Sequence, residues 1–333
     1  MKAVVFEKPG QVTIGEVKDP PVGADEVLLR VAACGVCGTD LHMYLGEFAA
    51  NFPIIPGHEF SGVIAELGSE VNDLEVGQNV AVIPCYYCGQ CDFCRENRPN
   101  FCQDIKVYGG GLNGAFAEYI SVKRKTVYPC GDLSLEEVSV VEPVACCVHA
   151  FNLIGSFLGH RVLLFGCGSI GLILLQLSRI NGAATVTAVD LFDKKLELAE
   201  KLGADVTLKA DERLEATLKE AGPYDLVIDA TGNPQVVQGM INYVRNAGTL
   251  LFFGVCPPEA KIEFSPFEIY RRELKIQGIF SLSGDFPAAL RLVQSGAIDV
   301  RSLITHEFPL SDFMTALEMM RRPADSAKIR IKP

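Results

Sequence analysis

The sequence has no excess of basic residues: 30 lysines and arginines stand against 41 acidic residues, and the formal net charge is −11. A uniformly electronegative surface repels phosphate groups, so nucleic acid and anionic membranes are not expected partners. An apolar run of membrane-spanning length is also missing, because the longest run, residues 162–177, contains three glycines and a glutamine. The N-terminal residues predict a strand and contain no signal-peptide core. We therefore expect a cytoplasmic protein.

Cysteine, by contrast, is abundant. Of the twelve cysteines, five lie between residues 85 and 102, and another lies in a short motif further upstream. Such clustering indicates metal thiolates in a reducing compartment rather than disulfides. The 333 residues, 49% of them apolar, are enough for two domains that each have a core of their own.

Two short segments offer the donors of a catalytic metal site. One reads Gly-Val-Cys-Gly-Thr-Asp-Leu-His and contains Cys37; the other reads Gly-His-Glu and contains His58 and Glu59. These three residues form the donor set of a catalytic zinc, which keeps a fourth position for water or substrate. Glu59 can alternatively act as a hydrogen-bond partner behind the ligands. Thr39 and His42 follow Cys37 closely and suggest a route for a proton.

A second metal site is indicated by cysteines alone. Cys88, Cys91 and Cys94 are separated by two residues each, and Cys102 follows eight residues after the last of them. Four thiolates without a histidine are typical of a closed, structural zinc site. Cys85 precedes the series, but four ligands already complete the coordination of zinc, so it is assigned no metal.

A glycine-rich segment predicts a dinucleotide site. The buried strand 161–165 is followed by Gly166, Gly168 and Gly171 in the pattern Gly-x-Gly-x-x-Gly and then by a helix. Nineteen residues after the last glycine, a second strand ends in Asp190. This context is the fingerprint of a nucleotide-binding βαβ unit, with the pyrophosphate at the helix N-terminus. Asp190 would accept hydrogen bonds from the adenosine ribose and repel a 2′-phosphate, which favours NAD over NADP.

Hydrophobic periodicity divides the chain. Residues 1–35 and 60–85 alternate as in antiparallel strands, with the metal motifs expected on loops. From residue 148 onwards, six strands alternate with helices, as in a doubly wound parallel sheet. The strands are expected at 161–165, 185–189, 205–208, 224–229, 249–254 and 274–280, and a helix at 236–246. The tail, with helices at 286–295 and 311–321 and a strand at 327–331, is expected to rejoin the first domain.

These residues resemble those of the zinc-dependent medium-chain alcohol dehydrogenases over nearly the whole chain. The resemblance implies an α/β protein with a mostly β, GroES-like catalytic domain at 1–147 and 285–333 and an NAD-binding Rossmann domain at 148–284. It also implies a homodimer or homotetramer. The residues that carry it are Cys37–His42, Gly57–Glu59, the four clustered cysteines, Val141–Pro143 and Gly166–Gly171.

The resemblance assigns the cofactors to two zinc ions per chain and NAD. A carboxylate would complete the catalytic zinc site, and either Glu59 or Glu142 can supply it. The expected reaction is hydride transfer from an alcohol to the nicotinamide, with the proton leaving through Thr39, the cofactor ribose and His42. The cofactor is expected to contact Gly166, Gly168, Ser169, Ile170, Gly171, Asp190, Thr231, Gly254 and Phe280.

The substrate class rests on shorter signatures. Glu142-Pro143 and the segment Ser265–Glu268 resemble polyol dehydrogenases, whereas residues 37–44 also resemble L-threonine dehydrogenase. Ser281 stands where sorbitol dehydrogenases carry an arginine, which favours a pentitol over sorbitol. A carboxylate at the zinc could accept a hydrogen bond from the hydroxyl next to the reacting one, and ethanol has no such group. A non-catalytic NAD- and zinc-binding protein and a metal-free quinone reductase are the alternatives of other kinds.

Overall fold

A computed structural model describes residues 1–48, 50–321, 324 and 326–333. Among these residues, no helix combines the length and the apolarity needed to cross a membrane. The strands are β1 (Lys2–Lys8), β2 (Gln11–Glu16), β3 (Glu26–Gly35), β4 (Glu59–Leu67), β5 (Asn79–Val82), β6 (Cys85–Tyr86), β7 (Lys106–Val107), β8 (Tyr119–Lys123), β9 (Val127–Pro129), β10 (Arg161–Phe165), β11 (Thr185–Asp190), β12 (Val206–Lys209), β13 (Tyr224–Asp229), β14 (Val244–Phe252), β15 (Lys275–Gly278), β16 (Ile304–Pro309) and β17 (Lys328–Lys332). The α-helices are α1 (Gly38–Leu45), α2 (Asp92–Arg95), α3 (Leu135–Val138), α4 (Val141–Ile154), α5 (Ser169–Ile180), α6 (Asp193–Lys201), α7 (Leu214–Ala221), α8 (Pro234–Gly239), α9 (Pro266–Arg271), α10 (Phe286–Gln294) and α11 (Phe313–Arg321).

The chain divides into two compact units. The first contains Met1–Ala145, Leu282–Gly296 and Ile304–Pro333, and the second contains Cys146–Ser281 and Ala297–Leu303. The predicted domain boundaries follow residues 147 and 284, and each lies within three residues of a point where the chain passes from one unit to the other. Residues 297–303, however, were expected in the catalytic domain and instead belong to the second unit. The side chain of Gln176, in α5, holds this segment in the second unit. Its Oε1 accepts the N–H of Asp299 at 2.7 Å, and its Nε2 donates to the carbonyl oxygen of Asp299 at 3.3 Å.

The first unit is built on β3, which pairs antiparallel with β4, β8 and β17. Its main sheet has the order β16-β17-β3-β4-β5-β9. Three fully buried rings pack in its core, with Phe313 lying 4.8 Å from Phe116 and 5.9 Å from Phe6 between ring centroids. The mostly β, GroES-like architecture is confirmed. The pairing of β17 with β3 brings the tail of the sequence beside the segment that contains Cys37.

The expectation that the metal motifs lie on loops is wrong for the first motif. Cys37 is the N-cap of α1, and Asp40 occupies the third helical position, where its Oδ2 accepts the N–H of Cys37 at 2.9 Å. A carboxylate at this position bonds a helix N-cap in the manner of a capping box. Gly46, with φ of 78°, ends the helix in the left-handed conformation that glycine adopts easily.

The second unit contains a six-stranded parallel sheet of order β12-β11-β10-β13-β14-β15, as in a doubly wound nucleotide-binding fold. The strand order reverses between β10 and β13, so the loops that follow these two strands diverge at the carboxyl edge of the sheet. Ligands bind at such a point in open α/β sheets. The predicted Rossmann architecture is confirmed.

The predicted helix 236–246 is too long. Helix α8 ends at Gly239, and β14 already begins at Val244. Tyr224 pairs with Val244 while Leu226 pairs with Thr249, so β14 carries extra residues relative to β13 and forms a β-bulge. Ala247 has a φ of 58° in this bulge. Residues 240–242 form a 3₁₀ helix that continues from α8, so only the last residues of the predicted helix are strand.

Candidate metal and nucleotide sites

The three predicted donors of the catalytic metal come together in the first unit. One ligand atom from each of Cys37, His58 and Glu59 lies within 4.8 Å of the other two. Cys37 precedes α1, whereas His58 and Glu59 lie at the start of β4. A side chain at Gly35 would clash with the Glu59 carboxylate, so glycine leaves the room that this carboxylate occupies. A thiolate, an imidazole and a carboxylate at this separation fit a zinc ion.

A buried carboxylate behind His58 escaped prediction. Asp40 is fully buried, and its Oδ1 lies 3.8 Å from Nδ1 of His58. This oxygen has no hydrogen-bond partner among the described residues. Carboxylates commonly orient a metal-binding histidine by accepting from its second ring nitrogen. The sequence signal that could have found it is the capping-box spacing of Cys37 and Asp40.

A buried lysine completes the surroundings of Glu59. The ammonium of Lys328 in β17 forms an ion pair with Oε2 of Glu59, and these side chains are only 3% and 2% exposed. The same ammonium lies 3.4 Å from the carbonyl oxygen of Val36. One oxygen of Glu59 is thus engaged by a cation of the protein itself.

The charges around the donors reinforce one another. Burial opposes the charged form of His58, but the thiolate of Cys37 and the carboxylate of Asp40 hold its pKa well above the usual value. Burial likewise opposes the charge of Lys328, but Glu59, Cys37 and Glu142 together raise its pKa. The charge of Glu142, in the first turn of α4, raises both pKa values, so this residue acts on the same site.

The two residues of the predicted proton route lie on α1. Thr39 Oγ1 is 3.7 Å from the Cys37 sulfur. The side chain of His42 is 41% exposed, and its Nδ1 lies 2.6 Å from Oε2 of Glu47. Residues three positions apart share a helix face, so Thr39 stands near the metal donors and His42 nearer to solvent.

The four cysteines of the second metal site also converge. The sulfurs of Cys88, Cys91, Cys94 and Cys102 lie within 4.8 Å of one another. Backbone N–H groups of residues 90 and 91 bond the Cys88 sulfur and lower its pKa. The N–H groups of residues 103 and 94 lower the pKa of Cys91 to about 6. Such N–H···S bonds favour thiolates, the form that binds zinc.

Cys85 stands apart from this set. Its buried thiol lies 3.2 Å from the hydroxyl of Tyr87, and burial raises its pKa to about 11. The four converging sulfurs do not include that of Cys85. This agrees with leaving Cys85 out of both predicted metal sites.

Cys91→Ala is expected to remove the structural zinc and to lower the melting temperature by roughly 5–15 °C, because a closed zinc site contributes several kcal/mol to folding. Elemental analysis and thermal unfolding measure the two effects. Cys85→Ala is the matched control and should keep both zinc ions. Retention of two zinc ions per chain by Cys91→Ala would contradict the assignment.

The glycine-rich loop of the second unit has the predicted form. Gly166 has a φ of 96°, and a Cβ there would lie 2.9 Å from Cγ2 of Thr231. A Cβ at Gly171 would clash with the carbonyl oxygen of Gly166, so α5 packs closely against the loop. A Cβ at Gly168 would meet nothing within 4 Å. Gly168 therefore faces open space at the start of α5, next to Ser169 and Ile170, where a pyrophosphate would approach.

Asp190 lies where β11 ends, beside this loop. Its Oδ2 accepts the N–H of Cys167 at 2.7 Å, and its Oδ1 accepts the N–H of Phe192 at 3.1 Å. A carboxylate has about four acceptor positions, so each oxygen can accept a further hydrogen bond. The two backbone bonds fix the orientation of the carboxylate, and its remaining acceptor positions fit the hydroxyl groups of a ribose.

The remaining predicted cofactor residues follow three neighbouring strands at the carboxyl edge of the sheet. Thr231 follows β13, Gly254 follows β14 and Phe280 follows β15. The loops of Thr231 and Gly254 touch, because a Cβ at Gly254 would clash with the N–H of Gly232. Phe280 is 56% exposed.

Comparison with known proteins identifies the family of this chain. Residues 23–132 match the family described as alcohol dehydrogenase GroES-like domain, and residues 169–295 match the family described as zinc-binding dehydrogenase. A structure of a zinc-binding dehydrogenase from Sinorhizobium meliloti 1021, bound to NADP, is similar to this chain with a TM-score of 0.94 and 35% identity. The similarity covers 100% of this chain and 99% of that one.

The similar curated proteins share nearly their full length with this chain. D-arabinitol dehydrogenase 1 of Uromyces fabae is 38% identical, with coverage of 100% of this chain and 97% of that protein. D-altritol 5-dehydrogenase of Agrobacterium fabrum is 35% identical, with coverage of 100% and 99%. L-threonine 3-dehydrogenase of Bacillus velezensis is 31% identical, with coverage of 97% and 96%.

Proposed function

Because this chain belongs to the zinc-dependent medium-chain alcohol dehydrogenases, we propose that it oxidises a secondary hydroxyl of a polyol to a ketone, with NAD as hydride acceptor. The observation that carries the proposal is the carboxylate-containing donor set of Cys37, His58 and Glu59. It occurs in a chain that is 38% identical over its whole length to an arabinitol dehydrogenase.

The residues of the first unit have distinct roles in this proposal. Cys37 and His58 hold the zinc together with a carboxylate from Glu59 or Glu142. When bound, zinc supplies Lewis acidity, which lowers the pKa of the substrate hydroxyl. Thr39 carries the released proton away from the donor set, and the exposed His42 passes it to solvent.

Two carboxylates are candidates for recognising the polyol, because either Glu59 or Glu142 was expected to accept a hydrogen bond from the neighbouring substrate hydroxyl. The ion pair of Lys328 with Oε2 of Glu59 supports Glu142. We assign that role to Glu142, whose charge acts on the same site. A second substrate hydroxyl adds a hydrogen bond at the site, and a substrate such as ethanol cannot make it, so a polyol is favoured.

The test is NADH formation with xylitol, arabinitol, sorbitol, L-threonine and ethanol, compared as kcat/KM. A pentitol should be the best substrate and ethanol the worst. Glu142→Gln should then lower kcat/KM for the pentitol more than for ethanol. If ethanol is the best substrate, the carboxylate argument fails, and if no substrate in the panel reacts, the substrate class is wrong.

L-threonine 3-dehydrogenase is the second candidate function. A relative with that name shares 31% identity with this chain, and the ammonium group of L-threonine can meet Glu142 as a polyol hydroxyl can. A kcat/KM for L-threonine above that for every polyol would select this function.

We propose a preference for NAD over NADP of at least about 100-fold in kcat/KM, because like charges at close range cost several kcal/mol. The structure from Sinorhizobium meliloti 1021 is bound to NADP. The proposed preference of this chain for NAD rests on the carboxylate of Asp190. Asp190→Ser should reduce the preference to about tenfold or less. Asp193→Ser is the matched control, because Asp193 is exposed and pairs with Lys209 at 2.7 Å. Equal use of both cofactors by the wild type would show that Asp190 does not read the ribose.

We further propose a homodimer or homotetramer. Strand β15 forms one edge of the parallel sheet and exposes Ile276, and the nearby Tyr270 is 80% exposed. An edge strand has unpaired backbone groups that invite pairing with another copy. Light scattering should give a multiple of 36.1 kDa, and Ile276→Glu should lower it. Val206→Glu, on the opposite edge strand β12, should leave the mass unchanged. A wild-type mass of one chain would contradict the proposal.

We place the enzyme in the cytoplasm. All twelve cysteines are free thiols in the structure, and eight of them lie outside the four-cysteine site. Free thiols persist in reducing compartments.

A further inference from the structure

Asp229 is a buried acidic residue to which neither the zinc sites nor the predicted nucleotide contacts assign a role. It ends β13 at the carboxyl edge of the parallel sheet and is fully buried. Its Oδ1 accepts the N–H of Thr231 at 2.9 Å and the Thr231 hydroxyl at 2.6 Å, and its Oδ2 accepts the N–H of Gly232 at 3.1 Å. One carboxylate thus holds three donors of the loop that follows β13.

The backbone of Asp229 also holds the next loop. Its carbonyl oxygen accepts the N–H groups of Phe253 and Gly254, both at 3.0 Å. A Cβ on Gly254 would lie 2.6 Å from Oδ2 of Asp229 and would clash with Gly232. The loops after β13 and β14 therefore meet around this one residue with no room for a side chain.

A third loop is in contact with the same group. The N–H of Ala230 bonds the carbonyl oxygen of Phe165 at 2.8 Å, and a Cβ on Gly166 would lie 2.9 Å from the methyl group of Thr231. Gly166 belongs to the glycine-rich loop after β10. The loop that Asp229 holds after β13 therefore touches the loop after β10, across the point where the strand order reverses, which is where an open α/β sheet binds its ligand.

We propose that Asp229 is a positioning residue for the nicotinamide cofactor, holding the loops after β13 and β14 in the conformation that binds it. The proposal rests on the use of NAD proposed above. The hydroxyl of Thr231 donates to Asp229 and accepts from the N–H of Asn233 at 3.0 Å. Thr231 is thereby held as part of the loop, and its methyl group packs against Gly166.

Strand β13 supplies a matched control at its other end. Asp225 accepts the N–H of Arg161 at 2.8 Å and pairs with Arg245. It therefore also ties neighbouring segments together, but at the amino edge of the sheet, where ligands of this fold do not bind. The same Asp→Asn change at the two ends separates a general loss of stability from a loss of cofactor positioning.

The experiment compares wild type, Asp229→Asn and Asp225→Asn by NADH titration, steady-state kinetics and thermal unfolding. NADH emission is followed directly, since the protein contains no tryptophan. Asp229→Asn should raise the Kd for NADH and the KM for NAD about tenfold, because an amide cannot accept from all three donors, and should lower kcat less than threefold. Asp225→Asn should lower the melting temperature and keep the Kd within twofold of wild type.

Several outcomes decide the matter. An unchanged Kd in Asp229→Asn, or equal changes in both variants, would overturn the inference. If Asp229→Asn does not fold, Thr231→Val replaces it. This variant loses the hydroxyl that donates to Asp229 and accepts from the N–H of Asn233. It should raise the Kd about threefold, and an unchanged Kd would overturn the inference as well. A wild type that binds no NADH would instead overturn the proposed cofactor, and the inference with it.

Discussion

Cys37→Ser should remove one of two zinc ions per chain and lower kcat/KM at least about 1000-fold while the fold persists. Cys37 supplies the thiolate of the catalytic donor set, and a serine hydroxyl stays protonated at neutral pH and binds zinc poorly. The remaining carboxylate donor, Glu59, already shares one oxygen with Lys328, so it compensates little. A 1000-fold loss corresponds to about 4 kcal/mol of transition-state stabilisation.

Elemental analysis, NADH formation and circular dichroism measure these three effects on the same preparation. Cys34→Ser is the matched control: Cys34 is fully buried three residues upstream and is not one of the three converging donors. This variant should keep two zinc ions. Two zinc ions and more than about a tenth of the activity in Cys37→Ser would show that Cys37 is not a ligand.

Lys328→Met should lower the free energy of unfolding by about 3–5 kcal/mol, because it leaves the carboxylate of Glu59 buried without its counter-charge. The loss should be larger in zinc-free protein than in zinc-loaded protein, since a bound divalent cation compensates the same carboxylate. Denaturant unfolding with and without a chelator measures both values. The comparison tests at once whether Lys328 and zinc share Glu59.

Lys332→Met is the control for this variant. Lys332 lies in the same strand and pairs with Glu136 at 3.0 Å and Glu307 at 3.3 Å, but its side chain is 40% exposed. Exposed ion pairs contribute about 0–1 kcal/mol, so its removal should have little effect. Equal losses for the two lysines, or a Lys328 loss independent of zinc, would contradict the shared-carboxylate interpretation.

The parts of this protein that local spacing encodes were predictable. The cysteine pairs, the glycine pattern and the adjacent His58 and Glu59 lie in short segments, and the structure brings each set together. Lys328 gave no such signal. Basic and apolar residues alternate from Lys328 to Lys332, which predicts a lysine face in water, yet residues 328–331 are all buried. The alternation could not reveal a buried partner 269 residues upstream.

Asp229 shows a second limit. It ends β13, and its bonds to the N–H groups of Thr231 and Gly232 are those of an acidic residue in a turn after a strand. What the sequence could not show is that the loop after β14 closes on the same residue, because that contact depends on the order of strands in the sheet. Local patterns predict which groups a residue can bond, whereas packing decides which elements share it.

The pairing of β17 with β3 has a consequence for biosynthesis. Glu59 is translated 269 residues before Lys328. At typical elongation rates of about 5–20 residues per second, the interval between them lasts roughly 10–60 s. The entire Rossmann sheet is translated in the meantime. During that time the nascent metal centre carries its acidic and thiolate donors without the lysine that later neutralises them. A zinc ion captured by the nascent chain would therefore meet a more negative site than the finished protein offers.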